Sequence, residues 1–325
     1  MLRVGIVGYS FMGKIHAQCY KLSGRAEIVA VVDITEAART EAAEALRCAT
    51  YSTIEDMLCS IDLDIVDICT PTFLHEQQVI AAAQACKHIL CEKPLGLTLA
   101  SCDAMIEAAK RNFVTLMVAH VIRFWPEHKV IKELVDSEKY GRVEWVSARR
   151  LGPPPDWGWN GWHADPAKSG GAILDLHIHD LDFIQYLIGP PRRIQCNGVK
   201  GPGGGMESAL TLGLYHLSGA KSYAEGSFAM APGFPFVASL LVVCEKATIR
   251  HDNQADPTLM VYPIDSPPYS PELPQPARSG AEWVKGNLDE LGGYLNEISY
   301  FIDCIESGLQ PRLITLEDAR RAVAL

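Results

Sequence analysis

Apolar residues in the first 120 positions fall in short, β-branched, nearly continuous runs. These are Val4 to Val7, Ile28 to Val32, Ile65 to Cys69, Ile89 to Cys91 and Val114 to Ala119. Such runs suit parallel strands buried on both faces, where no polar alternation is needed. Between them, Phe11 to Leu22, Glu36 to Leu46, Leu74 to Ala85 and Leu99 to Arg111 read as helices. Strand–helix units repeated in this order predict an α/β domain, a doubly wound parallel sheet of Rossmann type over residues 1–121.

After Trp125 the pattern changes. A helix, Glu127 to Ser137, leads to an alternating strand, Arg142 to Arg150, and to the Pro- and Gly-rich stretch Gly152 to Gly161. A helix is expected from about Gly171 to Ile188. Ser208 to Leu217, Lys221 to Met230, Phe236 to Cys244 and Ala247 to His251 then follow as strands with little helix between them. Consecutive strands of this kind favour an antiparallel sheet. Residues 263–276 hold six of the 20 prolines and read as an irregular loop. Helices at Leu288 to Ser307 and from Leu316 close a second α/β domain, taken as residues 122–325.

Composition narrows the function classes. A chain of 325 residues, 48% hydrophobic and 21% charged, is ordinary globular protein of about two domains. The net charge of −10 argues against a nucleic-acid partner, whose affinity rests on clustered Lys and Arg. No apolar run approaches the ~20 residues of a membrane span. No signal peptide fits, because Leu2 to Val7 is already a strand broken by Gly8. The 10 cysteines form no C-x-x-C pair and sit mostly in apolar runs, so reduced thiols, a cytoplasmic location and no metal site are expected. A small molecule is the expected partner.

The first strand ends in Gly8-Tyr9-Ser10-Phe11-Met12-Gly13, a G-x-G-x-x-G pattern with serine at its second glycine. A tight strand-to-helix turn aims helix amides at a pyrophosphate, and small residues allow its close approach. The second strand ends in Asp33, whose carboxylate would bind ribose hydroxyls and repel a 2′-phosphate, favouring NAD over NADP. Arg39 nearby is the feature that speaks for a phosphate. Lys93, in Glu92-Lys93-Pro94, follows the strand His88 to Cys91 and so stands at the carboxyl end of the sheet, where ligands bind. A surface lysine after a strand is the bland reading.

On the helix after Gly170-Gly171, Asp175, His179, Asp182 and Tyr186 recur at spacings of four, three and four and share a face. A carboxylate one turn before a histidine can orient it as a general base. A solvated polar face is the alternative. His177 and His179 diverge too far on a helix to share one metal ion. Three of the six tryptophans, Trp157, Trp159 and Trp162, stand in one loop with His163 next. Their faces could stack on a sugar ring or pin the loop to the domain.

With these motifs in this order, the chain resembles the Gfo/Idh/MocA oxidoreductases, named for glucose–fructose oxidoreductase and inositol dehydrogenase. Cys69-Thr70-Pro71 with His75, Arg123-Phe124 before Pro126, and Leu295-Asn296-Glu297 extend the likeness over nearly the whole length. The resemblance implies a Rossmann domain followed by an α/β domain whose open, mainly antiparallel sheet often forms a subunit interface, hence a homo-dimer or homo-tetramer. It matches Lys93, Asp175 and His179 to the catalytic residues. It matches Thr70, Pro71, His75 and Glu92 to positions lining the dinucleotide, beside Gly8, Ser10, Phe11, Met12, Gly13 and Asp33. Arg123 corresponds to a position near nicotinamide and substrate, with Trp162 and His163 as further substrate candidates. His177 stands where many members have a small residue and is expected to narrow the pocket. The implied activity is NAD-dependent hydride transfer from a secondary hydroxyl of a sugar, cyclitol or derivative. An NADPH-dependent carbonyl reductase, an NAD-dependent glycosidase and a non-catalytic dinucleotide sensor are the alternatives.

Overall fold

The computed structural model describes residues 1–156, 158–201, 204–274 and 288–325. The apolar runs of the first part form β1 (Leu2–Val7), β2 (Ala26–Val32), β4 (Ile65–Ile68), β5 (His88–Glu92) and β6 (Leu116–Ala119). A three-residue strand, β3 (Ala49–Tyr51), is added at the edge. All pairs are parallel, in the order β3-β2-β1-β4-β5-β6. The order reverses between β1 and β4, the place where a doubly wound sheet opens a crevice at its carboxyl end.

Between the strands lie α1 (Phe11–Ser23), α2 (Glu36–Leu46), α3 (Ile54–Ser60), α4 (His75–Gln84) and α5 (Leu99–Arg111). One face of the sheet, through Val66, Ile68, Ile89 and Val118, packs on Val79, Ala83 and Met105. The other, through Val4, Ile6, Ile65 and Leu90, packs on Ala17 and Tyr20 of α1.

The same face also carries Ile298, Phe301 and Ile302 of a C-terminal helix, all fully buried. Burying side chains of this size is worth about 1.5–3 kcal/mol each. The expected second domain of 122–325 contains this helix, whose buried face lies on the first sheet. The closing helices group with Met1–Phe124, and the second unit is Trp125–Gln275. The apolar stripe of the long helix matches the open face of the parallel sheet, which sequence order alone does not show.

In the second unit α6 (Pro126–Asp136) precedes β7 (Val143–Leu151), the short α7 (Pro166–Ser169) and α8 (Ile178–Ile188). Six further strands follow: β8 (Pro191–Lys200), β9 (Met206–His216), β10 (Lys221–Ser227), β11 (Val237–Cys244), β12 (Ala247–Asp252) and β13 (Leu259–Pro263). The seven-stranded sheet has the order β13-β12-β11-β7-β10-β9-β8. Only β7 and β10 pair in parallel. β8 escaped sequence reading because nearly every residue on it is exposed, leaving no alternation to detect. One face, with Val146, Ala148, Leu240, Val242 and Ile249, is buried; the other carries the exposed Trp145, Tyr223 and Tyr262.

The helix expected from Gly171 to Ile188 is present and runs without a break, with a π-turn inside it. The π-turn spans Ile173–His177 before α8 begins. The polar face of the helix is not solvated: Asp182 is buried, and Asp175, His179 and Tyr186 are half-buried. The chain closes with α9 (Leu288–Ser307) and α10 (Leu316–Ala324) of the first unit. Among the described residues no helix is long and apolar enough to cross a membrane.

Candidate functional site

The turn after β1 shows why glycine stands at two of its three places. Gly8 has φ +93°, and a Cβ there would lie 2.9 Å from the Cys69 carbonyl oxygen. A Cβ on Gly13 would lie 2.0 Å from the Gly8 oxygen. Ser10 is different: its φ is −99° and it is exposed, so a side chain is accommodated without strain. Its hydroxyl makes no capping bond to α1, and the first turn of that helix contains no acidic residue. The helix amides and this small polar side chain therefore suit an anionic group. Phe11, at the helix start, is 53% exposed.

Asp33 closes the frame. Its Oδ2 accepts the Tyr9 backbone N–H at 2.9 Å, and its Oδ1 accepts the Thr35 N–H and hydroxyl at 2.8 Å each. The Arg39 guanidinium donates to the Asp33 carbonyl at 2.7 Å. Arg39 is thereby tied to the backbone beside the carboxylate.

The loops after β4 and β5 are joined from below. His75 is fully buried, with Nε2 2.9 Å from the Thr70 carbonyl and Nδ1 3.0 Å from the Pro94 carbonyl. Burial pushes its pKa below the ordinary histidine value. His75, expected to line the dinucleotide, braces the two loops through these carbonyls. The Thr70 hydroxyl donates to Gln78 Oε1 at 2.5 Å, and Pro71 precedes the turn into α4. Glu92 is likewise buried, and its Oε2 accepts the backbone N–H of Lys93 at 3.0 Å. Lys93 is half-buried and precedes a cis peptide bond to Pro94.

Arg123, expected near nicotinamide and substrate, has partners within the first unit. Its guanidinium is buried, donates to the Leu313 carbonyl at 2.5 Å and lies 3.3 Å from Asp318 at the start of α10. It fastens the closing helix of its own unit.

Sequence reading missed a buried cluster under the β4 and β5 ends. Strand alternation turns Asp67 and Glu92 to the α1 and α9 side of the sheet. There His16 Nδ1 lies 2.9 Å from Asp67 Oδ2 and 3.4 Å from Cys69 Sγ, and Nε2 lies 3.3 Å from Glu92 Oε1. His16, Asp67 and Cys69 bring ligand-type atoms within 4.8 Å of one another. Their separations are those of hydrogen bonds, and Cys69 Sγ also donates to Asp67 Oδ1 at 3.4 Å. Burial pushes the Cys69 thiol up, away from the thiolate a metal would need. The available signal was the spacing of His16, three residues after Gly13.

In the second unit, Asp175 Oδ2 lies 3.9 Å from Nε2 of the buried His163, whose ring stacks on Trp162 at 4.0 Å between centroids. Asp175 and His179 are both half-buried, on the π-turn and on α8. Trp157 lies outside the described residues, as does the end of the proline-rich loop. His177, expected to narrow the pocket, is fully buried, with Nε2 2.9 Å from Thr211 Oγ1, and its ring occupies the space a side chain on Gly226 would need. Arg150 and Asp180 form a buried bidentate pair at 3.0 and 2.9 Å.

Comparison with known proteins places these features. Residues 2–120 match the family model described as the GFO/IDH/MocA oxidoreductase family, NAD-binding Rossmann fold, and residues 128–250 match the GFO/IDH/MocA C-terminal domain. Myo-inositol 2-dehydrogenase of Thermotoga maritima is 29% identical over 336 aligned residues, covering 100% of this chain and 94% of that protein. A 2,7-anhydro-N-acetylneuraminate hydratase of Escherichia coli is 30% identical, over 65% of this chain and 57% of its own length. Among solved structures, levoglucosan dehydrogenase in complex with NADH and levoglucosan superposes with a TM-score of 0.87. That match has 22% identity and covers 99% of this chain and 94% of the other.

Proposed function

Because the chain belongs to the Gfo/Idh/MocA oxidoreductase family, we propose that it is an NAD-dependent dehydrogenase acting on a secondary hydroxyl of a sugar, cyclitol or derivative. The observation that carries the reading is the glycine turn after β1, locked to Asp33 through Tyr9. It provides anion-accepting amides beside a carboxylate suited to ribose hydroxyls. NAD, when bound, supplies a nicotinamide carbon that accepts hydride. NADP is disfavoured, since a 2′-phosphate would meet the Asp33 carboxylate.

The protein's own groups handle the proton and the charge. His179 takes the hydroxyl proton as general base, an effect worth about 10²- to 10⁴-fold in rate. Asp175, beside His163, supplies a carboxylate for holding a neighbouring substrate hydroxyl and for orienting the base. The Lys93 ammonium stabilises the developing alkoxide, a preorganised electrostatic contribution. Trp162 and His163 supply stacked ring faces suited to the C–H face of a sugar.

The exposed Trp145, Tyr223 and Tyr262 on one sheet face support assembly with a second copy of the chain, since an exposed apolar patch marks an interaction surface. A relative named as a hydratase favours a second reading, in which the substrate is converted with no net reduction of cofactor. Incubating the protein with NAD and a panel of cyclitols and sugars separates the two. Accumulation of reduced nicotinamide supports the dehydrogenase; product release without it supports the second reading.

A further inference from the structure

We propose that His16 is a positioning residue for Lys93: an imidazolium held between the Asp67 and Glu92 carboxylates, which fixes Glu92 and through it the backbone of Lys93. The inference rests on the reading of Lys93 as a catalytic residue only for its effect on turnover. Its structural part stands alone.

Both ring nitrogens of His16 face carboxylate oxygens, Nδ1 toward Asp67 at 2.9 Å and Nε2 toward Glu92 at 3.3 Å. An ionised carboxylate only accepts, and a neutral imidazole donates from one nitrogen alone. Nδ1 is hydrogen-bonded, whereas Nε2 faces Glu92 at ion-pair distance without hydrogen-bond geometry; a carboxylate on each side of the ring favours its charged form. Complete burial is the largest single influence and opposes the charge, but the charges and hydrogen bonds of Asp67 and Cys69 together outweigh it, and the His16 pKa is pushed well above the ordinary value.

The other groups facing the ring are consistent with this balance. Glu297 on α9 is fully buried, and neither of its carboxyl oxygens has a hydrogen-bond partner among the described residues. Burial pushes its pKa well up, so it is the neutral acid of the cluster. Burial likewise keeps the Cys69 and Cys19 thiols and the Tyr20 and Tyr294 phenols protonated. One imidazolium thus stands between two carboxylates, with a third carboxyl uncharged.

Glu92 transmits the arrangement. One of its oxygens faces His16, and the other accepts the N–H of the next residue, Lys93. That bond sets the direction in which the chain leaves β5. Without the imidazolium, Glu92 is a buried acid with no cationic neighbour in the cluster. A lone buried charge is costly, so the side chain turns away and its hold on the Lys93 amide weakens.

The test uses the full chain labelled with ¹⁵N in its histidine rings. The His16 signals, assigned by their loss in His16→Gln, should show both nitrogens protonated at about one pH unit above the ordinary histidine value. A neutral tautomer there overturns the proposal. Amide exchange gives a second readout that needs no substrate. The Lys93 N–H should lose protection at least about tenfold in His16→Gln and in Glu92→Gln, while the β4 amides keep theirs; unchanged Lys93 protection also overturns it. Should His16→Gln fail to fold, Glu92→Gln and the wild-type ring signals decide. Where turnover is measurable, kcat should fall about tenfold in His16→Gln, with NAD affinity within threefold of the parent. Turnover equal to the parent's contradicts the positioning role, whereas a wild type silent with every substrate contradicts only the dehydrogenase reading.

Discussion

Asp33 Oδ2 accepts the backbone N–H of Tyr9 at 2.9 Å, so the carboxylate suited to a ribose also holds the turn suited to a pyrophosphate. A hydrogen bond to a charged group is worth about 1.5–3 kcal/mol. Asp33→Ala should therefore lower stability by roughly that amount and weaken NAD binding at least tenfold, both measurable by calorimetry. Loss of NAD affinity without loss of stability would show that the Tyr9 bond is idle.

Lys93 leaves β5 beside two braced elements, the Glu92 carboxylate on its own amide and His75 on the Pro94 carbonyl. Lys93→Ala should reduce kcat about 10²- to 10⁴-fold and leave NAD affinity within threefold. Steady-state kinetics with any accepted substrate checks this. Turnover within threefold of the parent would remove Lys93 from the reaction.

The buried Arg150–Asp180 pair joins β7 to α8, the helix that carries His179. Removing one member leaves an uncompensated buried charge, so Asp180→Ala should destabilise the protein by about 3–5 kcal/mol. Denaturant unfolding measures it. A change below 1 kcal/mol would mean that the charge finds water or another partner.

Acid should destabilise the fold in a defined window. His75 and His128 are buried, and desolvation pushes both pKa values below the ordinary histidine value. Both are neutral when folded and take up protons on unfolding, so their contribution is complete above about pH 6.5 and is lost as pH falls through the folded values. His16 has the opposite sign: its raised pKa gives stability below about pH 6.5 that is lost as pH rises through the folded value. The melting temperature should fall from pH 7 to pH 5, and less steeply in His128→Phe, whose ring can keep the edge contact with Phe183. A flat profile in the wild type would contradict the assignment.

Much of the first unit was legible because its evidence is local. Buried parallel strands are continuous apolar runs, and the turn after β1 needs glycine where a Cβ would strike the backbone. Ser10 broke the motif only in appearance, since its negative φ tolerates any residue. What stayed hidden depends on contacts distant in sequence. The return of α9 to the first sheet joins residues nearly 300 apart, and the His16 cluster assembles α1, β4, β5 and α9. The Arg123 contacts with Leu313 and Asp318 were equally hidden, since those partners lie some 190 residues away. The π-turn at Ile173–His177 carries no periodicity signal distinct from that of an α-helix.

The most direct measurement of the central claim is spectrophotometric. The purified protein is mixed with NAD and each member of a cyclitol and monosaccharide panel, and reduced nicotinamide is followed with time. The account predicts reduction with at least one polyol, abolished in His179→Asn and in Lys93→Ala. Silence across the panel from a protein that binds NAD tightly would contradict it.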